Sequence, residues 1–309
     1  MSKKQTILLI GGTGFIGRNI IDSMLKDLSF ANTQIVVVSR HEAVVKEKNI
    51  IYKEGSYGDI EFMDKLFLEW KFEKVFHLAS TTIPVSSNIN IIDDLQTNLL
   101  VTINLLEVMR KHDCKFILYM SSGGAVYGEN KPSPISENEI CFPISSYGVV
   151  KLSIENYLRL YQKQFGINYL ILRISNPFGE FHVSEKQGVI NIAVRRAVKG
   201  LPLEIWGDGN QAKDYIYISD LTMIVLKLIN KNILNQTINI GSGNSFQLNF
   251  ILNEINKVLP LKINYVESLP TDVRDFCLDI TLLQSLIDFE VTNFNTAINN
   301  TIAWEKSQI

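Results

Sequence analysis

Residues 6–17 read TILLIGGTGFIG, and the fold turns on that stretch. Thr6–Ile10 is a short apolar run. Gly11-Gly12-Thr13-Gly14-Phe15-Ile16-Gly17 is a glycine-rich turn, and an apolar-periodic segment continues to Asp27. Strand, glycine turn and helix in that order make the phosphate-binding unit of a dinucleotide site. Gly11 allows a tight turn, and Gly14 lets a pyrophosphate approach backbone N–H groups at the helix N-terminus. Gly17 lets helix and strand pack closely. A plain glycine-rich turn between strand and helix is the competing reading, and the flanking pattern argues against it.

The next buried run, Gln34–Val38, ends at Ser39-Arg40. An acidic residue there would accept hydrogen bonds from the ribose 2′-hydroxyl of NAD. A hydroxyl and a guanidinium suit the 2′-phosphate of NADP instead. A solvated arginine is the alternative, so NADP(H) or NAD(H) is expected, with NADP favoured. Ile50–Glu54 reads as a third strand and Ile60–Trp70 as a helix capped by Asp59. Lys74–Leu78 is a fourth strand, running into Ala79-Ser80-Thr81-Thr82. Small residues past a strand's carboxyl end let a ligand lie against backbone, which adds Leu78, Ala79 and Ser80 to the cofactor set. His77 sits inside an apolar run and reads as a packed core histidine.

Asp93–His112 carries Leu95, Leu99, Leu106 and Met109 at helical spacing and reads as one long helix. Phe116–Met120 is a fifth strand that ends in Ser121-Ser122-Gly123-Gly124-Ala125-Val126-Tyr127-Gly128. Hydroxyls at the carboxyl end of a central parallel strand open onto the ligand crevice. Loop Lys131–Pro143 leads to a long helix, Ser146–Phe165, that carries Tyr147 and Lys151. Four residues apart, these two side chains share a helix face. A free phenol titrates near ~10. A fixed ammonium beside it favours the phenolate and makes it a usable proton-transfer group.

Asn168–Ile174 is a sixth strand, after which the alternation becomes irregular. Helix Gly188–Lys199, strand Leu203–Trp206, strand Asp214–Ile218, helix Asp220–Asn230 and strand Thr237–Ile240 follow. The fold class is therefore α/β, a Rossmann-type doubly wound parallel sheet with a smaller C-terminal substrate lobe. Residues 1–175 form the dinucleotide-binding domain, to which 214–240 return. Residues 176–213 and 241–309 form the lobe. With 30 Lys+Arg against 32 Asp+Glu, no basic surface for nucleic acid is announced. Apolar runs are too short to span a bilayer, and no signal-peptide pattern opens the chain. Three scattered cysteines and four histidines form no metal pattern. The expectation is a cytoplasmic, metal-free protein.

Six pieces in one order resemble the extended short-chain dehydrogenase/reductases, the nucleotide-sugar epimerase, dehydratase and reductase group. They are GGTGFIG at Gly11–Gly17, HLAS at His77–Ser80, SSGGAVYG at Ser121–Gly128, YGVVK at Tyr147–Lys151, LRISNPFG at Leu172–Gly179 and GDGNQAKDYIYISD at Gly207–Asp220. The resemblance implies Tyr147 as general acid/base and Lys151 as the residue that holds the nicotinamide ribose. It implies that Ser121, Ser122, Asn176, Gly188 and Val189 meet a nucleotide-diphosphate sugar, that Trp206 lies by the base, and that Lys213 takes a phosphate-binding place usually held by arginine. It also implies a homodimer built on the helices 93–112 and 146–165. Three departures stand out. The group's catalytic Ser/Thr falls on Gly123, so Ser122 is assigned instead. The acidic adenine contact falls on Ser56. The late Arg-Pro-Gly-Asp segment appears as Leu269-Pro270-Thr271-Asp272, with Arg274 as a candidate replacement.

Gly123-Gly124-Ala125 lacks the Asp-Glu pair that a 4,6-dehydratase uses. Ser39-Arg40 favours net reduction from NADPH over an internally recycled cofactor. The expected reaction is reduction of a dTDP-linked 4-keto-6-deoxyhexose for surface polysaccharide. UDP-hexose or UDP-N-acetylhexosamine 4-epimerisation is the alternative, and a non-catalytic NADP-binding sensor a remote one.

Overall fold

Seven parallel strands form the main sheet of the computed structural model, which describes residues 5–40, 49–129, 131–267 and 275–308. β1 (Gln5–Ile10), β2 (Thr33–Ser39) and β3 (Ile50–Glu54) run to one edge. β4 (Lys74–His77), β5 (Phe116–Ser122), β6 (Asn168–Ile174) and β10 (Gln236–Ile240) run to the other, giving the order β10-β6-β5-β4-β1-β2-β3. Strand order reverses between β1 and β4, and in such sheets the crevice beyond the carboxyl ends at that point takes the ligand. Near-continuous burial of ILLI, IVVV and FILYM is what a sheet covered on both faces requires.

On one face α1 (Phe15–Lys26) and α9 (Ile218–Asn230) pack together in an apolar core that continues into α8 (Val189–Val198), α10 (Leu248–Val258) and α12 (Phe294–Lys306), which pack on one another. The other is covered by α2 (Ile60–Trp70), α5 (Val101–Lys111) and α7 (Ser146–Phe165). Short helices α3 (Pro84–Ser87), α4 (Ile91–Asp94), α6 (Gly123–Val126) and α11 (Thr281–Leu286) join them. Asp59 caps α2 through the Phe62 N–H, as its position before an apolar-periodic run implies.

Two sequence expectations need correction. The helix expected at 93–112 is interrupted by a π turn at Leu95–Leu100, where Asn98 reaches across to Thr81 and Asp94. The strand expected at 214–218 is β9 (Ala212–Tyr217), and it does not join the main sheet. The edge of β6 is taken over Leu170–Ile174 by β10, which ends the sheet on that side. β9 pairs instead with β7 (Asn176–Phe178) and β11 (Ser245–Gln247), and β8 (Leu203–Trp206) pairs with β12 (Ile263–Val266). Segment 218–240 does sit with the main sheet, α9 against α1 and β10 at the edge. Leu269–Asp272 and Arg274 lie outside the described residues.

Candidate active site

Gly11 turns with φ +85°, and a Cβ there would lie 2.8 Å from the Ala79 nitrogen, so the β1 and β4 loops touch backbone to backbone. At Gly17 a Cβ would stand 2.3 Å from the Gly11 carbonyl oxygen. Helix α1 begins at Gly14 with no side-chain cap and no acidic residue in its first turn. Its first N–H groups and the positive end of its dipole therefore face the crevice, which suits a diphosphate. Thr13 and Ser39 approach with their hydroxyls 3.4 Å apart, and Arg40 is exposed just beyond. Phe15 packs edge-on to His182, and Ile16 is half-buried. Leu78 and Ala79 are half-buried at the β4 end, while the Ser80 hydroxyl turns back to the Thr82 carbonyl. These residues fit a dinucleotide.

Across the crevice, α7 brings Tyr147 and Lys151 together. The Lys151 Nζ lies 5.5 Å from the centre of the Tyr147 ring, 4.9 Å from that of Tyr119, and donates to the Met120 carbonyl at 2.8 Å. The Ser122 hydroxyl lies beside the Tyr147 phenol. Burial pushes the Tyr147 phenol up to about 12; the Ser122 hydroxyl opposes this and the charge of Asp94 adds to it. Lys151 is pushed down to about 8 by burial, against the pull of Glu155 and Asp94. The expected lowering of the tyrosine by Lys151 does not govern this site: burial is the largest influence on both groups, and the ammonium gives one of its three N–H bonds to the Met120 carbonyl. Burial thus favours the protonated phenol.

Ser121 is also corrected. Alternation along β5 sends Ser121 and Ser122 to opposite sides, and the buried Ser121 hydroxyl donates to Glu155 at 2.6 Å, away from the crevice. Leu278 explains Gly123: a Cβ at 123 would lie 2.8 Å from a Leu278 methyl, so a leucine fills the place of the missing side chain. Asn176 and Lys213 sit on adjacent strands, the Asn176 amide donating to the Asp214 carbonyl at 3.0 Å. Gly188 caps α8 ahead of Val189, above the ring of the buried His182. Trp206 stands exposed at the end of β8.

Several polar residues were missed. Asp94, Asn98 and Thr102 are buried at spacings of four along α4, the π turn and α5. With His77, Thr82 and Tyr119 they face a cavity of about 10 Å³ behind Tyr147 and Lys151. That polar stripe, interleaved with the leucines of the same helical stretch, was readable. No group of three or more His, Cys, Asp or Glu among the described residues is arranged to hold a metal. No helix among them is long and apolar enough to cross a membrane.

The NAD dependent epimerase/dehydratase family matches residues 7–241, from β1 through β10. The chain belongs to that family. Its similar relatives carry two kinds of name. A Methanocaldococcus jannaschii protein provisionally named UDP-glucose 4-epimerase is 33% identical, over 97% of this chain and 98% of its own. An Escherichia coli dTDP-4-dehydro-6-deoxyglucose reductase is 31% identical, over 90% of each. The solved UDP-glucose 4-epimerase of Thermotoga maritima, with UDP-glucose, superimposes with a TM-score of 0.91 at 29% identity, covering 98% of this chain and 99% of that one. The protein is thus an enzyme of the NAD-dependent nucleotide-sugar epimerase and reductase family.

Proposed function

We propose that this enzyme reduces the 4-keto group of a nucleotide-linked 6-deoxyhexose, of the dTDP-4-dehydro-6-deoxyglucose type, to a dTDP-fucose-like sugar. The observation that carries this reading is the placement of the Tyr147 phenol beside Ser122 and 5.5 Å, ring centre to Nζ, from Lys151, with burial favouring its protonated form, a donor suited to a carbonyl oxygen. When bound, the nicotinamide supplies hydride to the keto carbon. Tyr147 gives the oxygen its proton, and Ser122 orients the phenol in the place where Gly123 offers no hydroxyl. Lys151 stands one helical turn away to hold the ribose. The uncapped α1 N-terminus takes the pyrophosphate, and Arg40 favours a 2′-phosphate, hence NADPH.

The small sheets and the C-terminal helices form the sugar-nucleotide lobe, the rest the dinucleotide domain. Asn176, Gly188, Val189 and Lys213 are assigned to the diphosphate sugar and Trp206 to its base. Exposed Ile92, Leu100, Val149 and Leu160 on the helices around α5 and α7 support a homodimer. Surface polysaccharide precursors, made in the cytoplasm, are the setting in which such a reduction is used.

A second reading, 4-epimerisation of a UDP-hexose, is favoured by the names of the M. jannaschii and T. maritima relatives. Purified enzyme mixed with dTDP-4-dehydro-6-deoxyglucose and NADPH separates the two. Loss of reduced-nicotinamide absorbance supports reduction. No loss, together with interconversion of UDP-glucose and UDP-galactose at constant cofactor, establishes the epimerase instead.

A further inference from the structure

The first turn of α7 has three of its N–H groups taken by side chains. Ser146 donates to Asn88 Oδ1 at 2.8 Å, Tyr147 to Ser87 Oγ at 3.0 Å and Gly148 to Ser145 Oγ at 3.2 Å. Two of those acceptors come from α3 and the residue after it. A second tie lies deeper. Asp94, with no exposed surface, accepts from Ser146 Oγ at 2.7 Å through one carboxylate oxygen. Through the other it accepts from Thr82 Oγ1 at 2.7 Å and Asn98 Nδ2 at 2.9 Å. Asn98 in turn accepts from the Thr81 N–H at 2.9 Å. A single carboxylate thus joins the loop after β4, the π turn and the helix that carries Tyr147.

Its donors are all neutral, and among the described residues no cation pairs with it at ion-pair distance. Around it and the phenol, β4 presents His77, whose burial lowers its pKa to about 3 and leaves it neutral. β5 presents Ser122 and the neutral Tyr119, and Tyr57 packs on His77 from the loop after β3. On α7 itself, Glu155 is answered by Arg173 at 2.7 Å and Arg159 at 3.1 Å. What remains uncompensated is Asp94 on one side and Lys151 on the other.

We propose that Asp94 positions the proton donor: its carboxylate clamps the first turn of α7 to the loop after β4, and its negative charge sets the pH at which the Tyr147–Lys151 pair releases its proton. The inference deepens the reductive reading, since a carboxylate beside a phenol and an amine keeps the proton on both. It holds for either reaction, because both use the same pair.

The wild-type assay described above first decides which sugar is turned over, and so tests the reductase reading separately. The pH profile of kcat is then taken on that sugar. Asp94→Asn keeps the shape, since the Ser146 hydroxyl can reverse its role, and removes the charge. The limb owed to the Tyr147–Lys151 pair is expected to move down by about one pH unit. Ser146→Ala keeps the charge and loosens the clamp: kcat should fall several-fold with the limb not moved downward. Thermal melts of both variants keep folding separate from chemistry. If folded Asp94→Asn leaves the limb where wild type has it, the proposal is overturned; the same holds if Ser146→Ala leaves kcat intact.

Discussion

In the proposed reaction Tyr147, Ser122 and Lys151 carry the chemistry, and their surroundings decide what each does with a proton. With burial pushing the phenol up to about 12 and the amine down to about 8, the Tyr147–Lys151 pair should lose its first proton from Lys151. Its folded value of about 8 lies below the ordinary lysine range, and the ammonium is lost as pH rises through it. Reduction should therefore be flat below neutrality and fall above about pH 8, in a profile that Lys151→Arg flattens at a lower overall rate. Tyr147→Phe should lower kcat by about 10²–10⁴-fold with the melting temperature little changed. The two neighbouring serines should part company. Ser122→Ala should slow turnover, whereas Ser121→Ala should cost about 1–2 kcal/mol in denaturant unfolding by leaving Glu155 short of a donor. Equal kinetic effects at the two positions would contradict their opposite orientation on β5.

At the level of elements, the apolar run of β6 gave a strand because the main sheet is buried on both faces, the alternation of β8 gave one that is buried on one face, and the Asp59 cap with an apolar-periodic run gave α2, each with the bounds its residues imply. The glycine turn and the Tyr147–Lys151 face were legible for the same local reason: each lies within one turn or one helix. What was not legible depends on contacts far apart in sequence. Ser146 meets Asp94 across 52 positions, and Leu278 fills the space at Gly123 from the far end of the chain. Nothing local to β9 tells it that β10 will occupy the edge of β6. Helix α7 gives a stability test of such long-range ties. Glu155, wholly buried, pairs with Arg173, itself almost fully buried, by two hydrogen bonds of 3.1 and 2.7 Å. Arg173→Met leaves that carboxylate with the partly exposed Arg159 as its one ion-pair partner and the neutral Ser121 hydroxyl as a donor, and should cost roughly 3 kcal/mol in urea unfolding.

For the whole molecule, the question is what covers the outer side of α7 and the helical stretch next to it. Val149, Tyr157 and Leu160 recur within one outward stripe of α7 while Val150, Ile154 and Leu158 face the sheet. Ile92, at 63% exposed, and Leu100, at 51%, continue the apolar surface onto the helices packed beside it. Contiguous apolar surface of this kind marks association more often than solvent contact, and a two-fold axis through it sets the same patch against itself. Tyr147 lies two residues before Val149, at the end of this stripe, so pairing would brace the helix whose first turn Asp94 and Ser87 already hold. Val149→Asp with Leu160→Asp places two like charges per protomer at the centre of such an interface. Sedimentation equilibrium should show a dimer for the wild-type chain and a monomer for the double variant, with far-ultraviolet circular dichroism unchanged. A wild-type chain that sediments as a monomer at tens of micromolar would instead leave this stripe to solvent and remove pairing from any account of how α7 is held.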